Sequence, residues 1–242
     1  MTITAQAIPI LSDNYAWLIR DSATGYTAIV DPAEEAPVSA AIDAAGGRLD
    51  AILLTHHHAD HIAAVEPIRA RYGAKVVGAA ADQYRLPPLD LAVREGDTVP
   101  LGAGSARVID TPGHTIGHIA YFLEPGNVLL SGDTLFSLGC GRLVEGTPAD
   151  MFSSLRKFAS LPGDTLICCG HEYTQSNARF ALTEEPTNVP LAARAAEVDA
   201  LRSDGVATVP TFLAAEMAEN PFLHAVDAAS LGAIRARKDA FR

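Results

Sequence analysis

The chain has 242 residues and a formal net charge of 18 − 29 = −11, with 48% hydrophobic and 19% charged residues. That composition belongs to a folded globular protein rather than a disordered one, and the length suits one full domain with a smaller one appended. The acid excess argues against general nucleic-acid or anionic-membrane binding, because both need Lys and Arg to displace counterions. The anomaly is histidine: of eight in the chain, four fall between His56 and His61.

The first ten residues lack a basic leading stretch, and Asp13 interrupts before any long apolar run, so no signal peptide is expected. No apolar run reaches the ~18 residues of a membrane span. Three cysteines, an odd number, suit reduced thiols, and the expectation is a cytoplasmic protein. Ala16–Arg20 and Tyr26–Asp31 flank Asp21-Ser22-Ala23-Thr24-Gly25 and read as a hairpin. Val38, Ala41, Ile42 and Ala45 have helical spacing, stopped by Gly46-Gly47. Ala51–Leu54 reads as a short buried strand leading straight into the His-rich stretch. Ile62, Val65 and Ile68 suggest one helix ending at Gly73. Further strands are expected at Lys75–Val77, Arg107–Ile109, Ile119–Leu123, Val128–Leu130 and Thr165–Cys168. Adjacent Cys168 and Cys169 then read as a buried strand end, since neighbouring strand side chains point to opposite faces. After His171 the chain turns Ala-rich, broken by Pro186, Pro190, Pro210 and Pro221. Helices are expected over Asn177–Leu182, Leu191–Leu201, Thr211–Ala218 and Ala228–Arg237. The layout is an αβ domain over residues 1–170 and a helical domain over 171–242.

Thr55-His56-His57-His58-Ala59-Asp60-His61 sits where a strand gives way to a loop. Imidazole and carboxylate are donors suited to Zn²⁺, Fe or Mn²⁺. In an extended start His56 and His58 point the same way and His57 the other, while Asp60 and His61 need the turn that a loop-to-helix junction supplies. One short segment can thus feed two adjacent metal ions. His114, Asp133 and His171 each follow a strand and a small flexible residue, at the edge where αβ folds place functional side chains. Together the set holds five His and two Asp, enough for two metals sharing one carboxylate.

Thr55-His-x-His-x-Asp-His61 with His114, Asp133 and His171, in that order, resembles the metallo-β-lactamase superfamily. Ser12-Asp13-Asn14-Tyr15, Gly132-Asp133-Thr134-Leu135-Phe136, Gly139-Cys140-Gly141-Arg142, Cys169-Gly170-His171-Glu172-Tyr173-Thr174, Asn220-Pro221-Phe222 and Arg237-Lys238-Asp239 narrow the resemblance to the glyoxalase II (hydroxyacylglutathione hydrolase) family. The resemblance implies an α+β fold, a four-layer αββα sandwich with a C-terminal helical domain. It implies one divalent ion on His56, His58 and His114, a second on Asp60, His61 and His171, and Asp133 bridging them, with Zn²⁺ expected and Fe or Mn acceptable. The implied reaction is hydrolysis of S-D-lactoylglutathione and similar 2-hydroxyacyl-glutathione thioesters, the second step of methylglyoxal detoxification.

In that reading an activated water attacks the thioester carbonyl. Asp60 and Asp133 hold metals and orient the water rather than acting as free bases, because the cations keep them ionised. A thiolate leaving group has a pKa of roughly 8.5 and needs little acid assistance, so no general acid is assigned. Arg142, Tyr173, Arg235 and Lys238 match the family's glutathione-binding positions, and Arg235 and Lys238 share a helix face at i, i+3. Val144 departs from a tyrosine that some members place there. His118 reads as packing or as outer support for a ligand, and His224 receives no role. Residues 235–242 hold four basic groups against one acidic, a local reversal of charge that suits an anionic substrate. The expected partner is therefore a small glutathione thioester, with no nucleic acid, no membrane and a monomeric chain. The nearest alternative is a glutathione persulfide dioxygenase of the same superfamily, against which the two-metal set and the long helical tail count. A non-catalytic binding protein on this fold usually loses ligands, and all seven are present here.

Overall fold

The computed structural model describes residues 3–124 and 126–241. Met1, Thr2, Pro125 and Arg242 lie outside the described residues, and Arg242 is one of the four basic groups near the C-terminus. The chain begins with strands β1 (Ile3–Ile10), β2 (Asn14–Asp21) and β3 (Thr27–Val30), then helix α1 (Glu35–Ala44) and β4 (Ala51–Leu53). Helices α2 (Ala59–Ile62) and α3 (Val65–Tyr72) lead to β5 (Lys75–Ala79), a short 3-10 turn at Ala80–Asp82, and β6 (Leu91–Val93). These six strands form one sheet in chain order, antiparallel through β3 and parallel from there on.

The second half contributes β7 (Thr98–Leu101), β8 (Gly104–Asp110), β9 (Ile119–Leu123), β10 (Val128–Gly132), a small hairpin of β11 (Leu135–Phe136) and β12 (Gly139–Cys140), helix α4 (Pro148–Ala159) and β13 (Leu166–Cys169). The tail holds α5 (Thr174–Glu184), α6 (Val189–Ser203), β14 (Thr211–Phe212), α7 (Leu213–Glu219) and α8 (Ala228–Ala240). The second sheet runs β14-β13-β10-β9-β8-β7.

Side-chain alternation explains the layering. In β2, Tyr15, Trp17 and Ile19 enter the core between the sheets, beside Tyr121 and Leu123 of β9. Ala16 and Leu18 face the other way, onto Val38 and Ile42 of α1 and Val65 and Ile68 of α3. Across the sandwich, Ala120 and Phe122 of β9 pack on Met151, Leu155 and Phe158 of α4 and Leu231 of α8. Each sheet is thus covered on both faces, which is why several strands read as continuous apolar runs rather than alternating ones. The result is the four-layer αββα sandwich, followed by a helical region.

Several elements depart from expectation. The helix read through Ile62, Val65 and Ile68 is two helices, with Ala64 out of helical geometry and its N–H donating to the Pro32 carbonyl at 3.1 Å. Pro67 explains the break: its ring would collide with the Ala63 carbonyl in a continuous helix, yet it is tolerated in the first turn of α3. The break lets α2 aim Asp60 and His61 independently of α3. In the tail, Thr211 and Phe212 form a strand on the edge of β13 before α7 begins, where a β-branched and an aromatic side chain suit a pleated edge. α4 lies where no element was expected; Thr147 and Asp150 close its start with a capping box and Pro148 occupies the first turn.

Candidate metal centre

The loops that leave β4, β8, β10 and β13 meet beside the β1–β2 turn. Tyr15 N–H donates to the Gly170 carbonyl at 2.8 Å and Gly170 N–H to the Gly132 carbonyl at 3.0 Å, which holds the β13 end against β10 and β2. All seven predicted donors come together there. His58 Nδ1 lies 3.1 Å from His56 Nε2 and 3.0 Å from His114 Nε2. His61 Nε2 and His171 Nε2 lie 3.4 Å apart, and Asp60 Oδ2 is 3.7 Å and 3.5 Å from them. Asp133 sits between the trios: Oδ2 is 3.4 Å from His114 Nε2 and 3.3 Å from His171 Nε2, and Oδ1 is 3.4 Å from His61 Nε2.

These separations fit cations. Donors bound at about 2.1 Å in a tetrahedron stand about 3.4 Å from one another. Asp133 Oδ1 is buried and has no hydrogen-bond partner among the described residues, an arrangement that is costly unless something else engages it. The donor chemistry and the geometry therefore suit two divalent ions with Asp133 shared.

For His56, His61, His114 and His171 the outward-facing ring nitrogen settles which nitrogen points inward. The Thr55 hydroxyl donates to Asp31 Oδ2 at 2.6 Å, which leaves its oxygen to accept from His56 Nδ1 at 3.0 Å. His61 Nδ1 donates to Asp31 Oδ2 at 3.0 Å, His114 Nδ1 to the Arg142 carbonyl at 2.8 Å, and His171 Nδ1 to Asp13 Oδ1 at 2.9 Å. Each acceptor fixes a tautomer whose Nε2 lone pair faces the centre. Asn14 Nδ2 donates to Asp60 Oδ2 at 3.0 Å and orients that carboxylate. Asp31, His56 and His61 also have donor atoms within 4.8 Å of one another, but Asp31 already accepts from Thr55 N–H, the Thr55 hydroxyl and His61 Nδ1, so it is an outer support. Asp13, Asn14 and Thr55 fell inside motifs quoted from the sequence without a role, and Asp31 carried no sequence signal.

Burial, reinforced by the neighbouring rings, drives the His56 and His118 pKa values well below the ordinary imidazole value. Burial alone would raise Asp133, yet His61, His171 and His114 hold its carboxyl well below the usual carboxylate range. His118 stacks on His56 at 4.9 Å, and its Nε2 accepts from Asp133 N–H at 3.1 Å. It supports two donors at once. His57 faces away, its Nδ1 2.9 Å from Asp82 Oδ2, and His224 pairs with Glu185 in the tail.

A cleft of about 400 Å³ opens from His58, Asp60, His114, Asp133 and His171 toward the tail, lined also by Arg142, Val144, Tyr173, Arg235 and Lys238. Tyr173 stacks on His171 at 4.5 Å and 7°. Lys238 Nζ donates to the Ser176 carbonyl at 2.9 Å, and burial together with Arg235 brings its pKa down to about 8. Arg142 is largely exposed, 3.6 Å from Asp239. Arg235 is buried; it donates to the Cys140 carbonyl at 2.8 Å and pairs with Asp239 at 2.8 Å. Cys140, Cys168 and Cys169 are buried free thiols.

The hairpin of β11 and β12 closes the centre from the tail side. Asn220 Nδ2 donates to the Gly139 carbonyl at 3.1 Å, Asn177 Nδ2 to the Ser137 carbonyl at 3.0 Å, and Leu138 N–H to Glu216 Oε2 at 2.8 Å. A Cβ on Gly141 would stand 1.9 Å from the Asp133 carbonyl oxygen, so only glycine permits this approach.

A model of the metallo-beta-lactamase superfamily matches residues 11–171, and one of the hydroxyacylglutathione hydrolase C-terminus matches residues 172–241. The chain is 50% identical over 255 residues to a hydroxyacylglutathione hydrolase of Ruegeria pomeroyi, covering 100% of both chains. It is 53% identical over 234 residues to one of Cereibacter sphaeroides, covering 97% of this chain and 92% of the relative. Among solved structures, ETHE1 from Myxococcus xanthus superposes with a TM-score of 0.72 at 26% identity, over 98% of this chain and 90% of that one.

Proposed function

The chain belongs to the hydroxyacylglutathione hydrolase family of the metallo-β-lactamase superfamily, and on that premise we propose how its own residues carry the reaction. It is a metal-dependent thioesterase that hydrolyses 2-hydroxyacyl-glutathione thioesters to the hydroxy acid and glutathione, with S-D-lactoylglutathione the expected member. One observation carries this reading: two facing donor trios around Asp133 open directly into a cleft walled by basic and aromatic groups from the tail. The persulfide dioxygenase alternative has weaker support, since the full-length relatives at about half identity carry the hydrolase name.

We assign one cation to His56, His58 and His114, the other to Asp60, His61 and His171, and the bridge to Asp133. Zn²⁺ is our choice of metal, the donor set also suiting Fe and Mn²⁺. When bound by these residues, two such cations would supply a nucleophile near neutral pH and would polarise the thioester carbonyl. The protein holds everything else in place. Asp133, kept ionised by the surrounding histidines, fixes the attacking water between the trios. Asp60, steered by Asn14, presents its carboxylate on the cleft side. A departing thiolate needs little protonation, so we assign no general acid. Arg142 and Lys238 face the glutathione carboxylates, Tyr173 offers its ring and hydroxyl, and Arg235 adds charge while bracing Cys140. We place catalysis in residues 1–170 and substrate binding in 171–242. Among the described residues no helix is long and apolar enough to cross a membrane, and we propose a cytoplasmic monomer.

The test is steady-state hydrolysis of S-D-lactoylglutathione by metal-replete and chelator-stripped protein. Turnover that disappears with the metal and returns with two equivalents of Zn²⁺ is expected. Oxygen uptake on glutathione persulfide without thioester cleavage overturns the assignment.

A further inference from the structure

Beside the metal centre, and outside the residues that line the cleft, lies a charged cluster that the thioesterase reading leaves unused: His57, Asp82, Arg85 and Glu145. Asp82 is buried and Arg85 half-buried. Arg85 Nε donates to Asp82 Oδ1 at 2.6 Å, and its two terminal nitrogens grip both oxygens of Glu145, one of them at 3.1 Å. His57 Nδ1 lies 2.9 Å from Asp82 Oδ2, and Ile116 N–H donates to Glu145 Oε2 at 2.9 Å. The loops are also pressed together. A Cβ on Gly117 would stand 2.6 Å from Asp82, and one on Gly146 would stand 2.7 Å from Gly113. Val144 N–H and Glu145 N–H both donate to the His114 carbonyl, at 3.3 Å and 3.2 Å.

From the β5–β6 connection, Asp82 and Arg85 tie together three further segments. His57 sits in the loop after β4, next to His58. Ile116 sits in the loop after β8, two residues from His114. Glu145 sits between β12 and α4. His58 and His114 are two of the three donors of the first trio, whereas Asp60, His61 and His171 take their outer contacts from Asn14, Asp31 and Asp13. We infer that Arg85 and Glu145 are positioning residues, a two-pronged clasp that sets the spacing of His58 and His114 and so tunes the first metal site without touching the second. A bidentate guanidinium–carboxylate pair suits this task because both partners are planar and the pair fixes direction as well as distance.

The inference rests on the two-metal reading, and one experiment separates the two. Metal-free wild type, Glu145→Gln, Arg85→Met and Arg85→Lys are titrated with Zn²⁺ against a chromophoric chelator, with His171→Ala marking which step belongs to which site. The clasp predicts that Glu145→Gln and Arg85→Met weaken the first site about tenfold or more, the range for outer partners of metal ligands. The second site should stay within about twofold. Arg85→Lys, which keeps the charge but loses the fork, should recover only part of the affinity. Arg71→Met, which breaks the exposed pair with Asp43, should change neither step. If both sites weaken together in Glu145→Gln, or the first keeps wild-type affinity, the clasp is refuted while the two-metal reading stands. If wild type takes up fewer than two Zn²⁺, both fall together.

Discussion

Asp31 is the most informative residue to change, because one carboxylate serves three donors at once. It accepts from Thr55 N–H at 2.8 Å, from the Thr55 hydroxyl at 2.6 Å and from His61 Nδ1 at 3.0 Å, all in the interior. In Asp31→Asn the amide has a single oxygen. Its best orientation keeps the hydroxyl and His61 bonds and sets its NH₂ against Thr55 N–H, at a cost of about 1–3 kcal/mol. The backbone tolerates this, since Asp31 has φ 50° and asparagine accepts the left-handed region. Asp31→Ala leaves at least two fixed buried donors unanswered and places a poorly suited residue at positive φ. About 3–6 kcal/mol is then expected, a large fraction of a typical domain stability. His61 also loses the group that fixes its tautomer, so Zn²⁺ affinity at the Asp60, His61 and His171 site should fall 10–100-fold. Urea unfolding of metal-free protein reads the first effect, and chelator competition reads the second. Wild-type affinity at both sites in Asp31→Ala would show that the outer carboxylate does not govern His61, and the tautomer argument would fail.

Lys238 gives a pH signature. Its pKa of about 8 lies below the ordinary ~10.4, so the ammonium is lost as pH rises through 8. KM for the anionic thioester should climb between pH 7 and 9 with kcat little changed, and Lys238→Met should flatten that limb. Stability should move the opposite way. Between pH 8 and ~10.4 the unfolded chain holds a proton that the folded chain has released, so this group's contribution to stability rises with pH. Gly141→Ala forces the hairpin or Asp133 to move, because the new methyl carbon would sit 1.9 Å from the Asp133 carbonyl oxygen. Displacement of that order costs roughly 10²-fold in turnover, and a Gly141→Ala protein with wild-type kcat would contradict the packing described.

The candidate donors, which the fold brings together, were legible because their chemistry is dense in one place. Four histidines within six residues cannot all pack in an apolar core, and the loop-after-strand positions of His114, Asp133 and His171 added the rest. Their outer partners were not legible. Asp31 is a lone acid at the end of β3, and it meets His61 only because β3 pairs in parallel with β4, a relation that periodicity does not encode. His57 turning away from the centre followed from strand alternation alone, whereas its partners Asp82 and Arg85 come from the β5–β6 connection. The apolar runs of β2, β9 and β10 marked strands correctly but not the sheet each joins. α4 was overlooked although Thr147-Pro148-Ala149-Asp150 is a helix-start signature, and β1 was weighed only as a leader sequence. Arg235 resembles a substrate position of the family, whereas its bonds to the Cys140 carbonyl and Asp239 show a bracing use that spacing on a helix face does not reveal.

The pairing of Thr211 and Phe212 with β13 has a consequence for how the chain is made. When residues 1–170 have emerged from a ribosome, the strand that leads to His171 still presents a bare row of N–H and C=O groups. A strand edge in that condition recruits other strands. The partner that caps it lies some forty residues further along, so the sheet is finished only after that stretch of the tail has arrived. A gene fragment ending at residue 170 therefore yields an open-edged sheet that self-associates rather than a working half, and truncation should spare the tail through α8, which carries Leu231, Arg235 and Lys238.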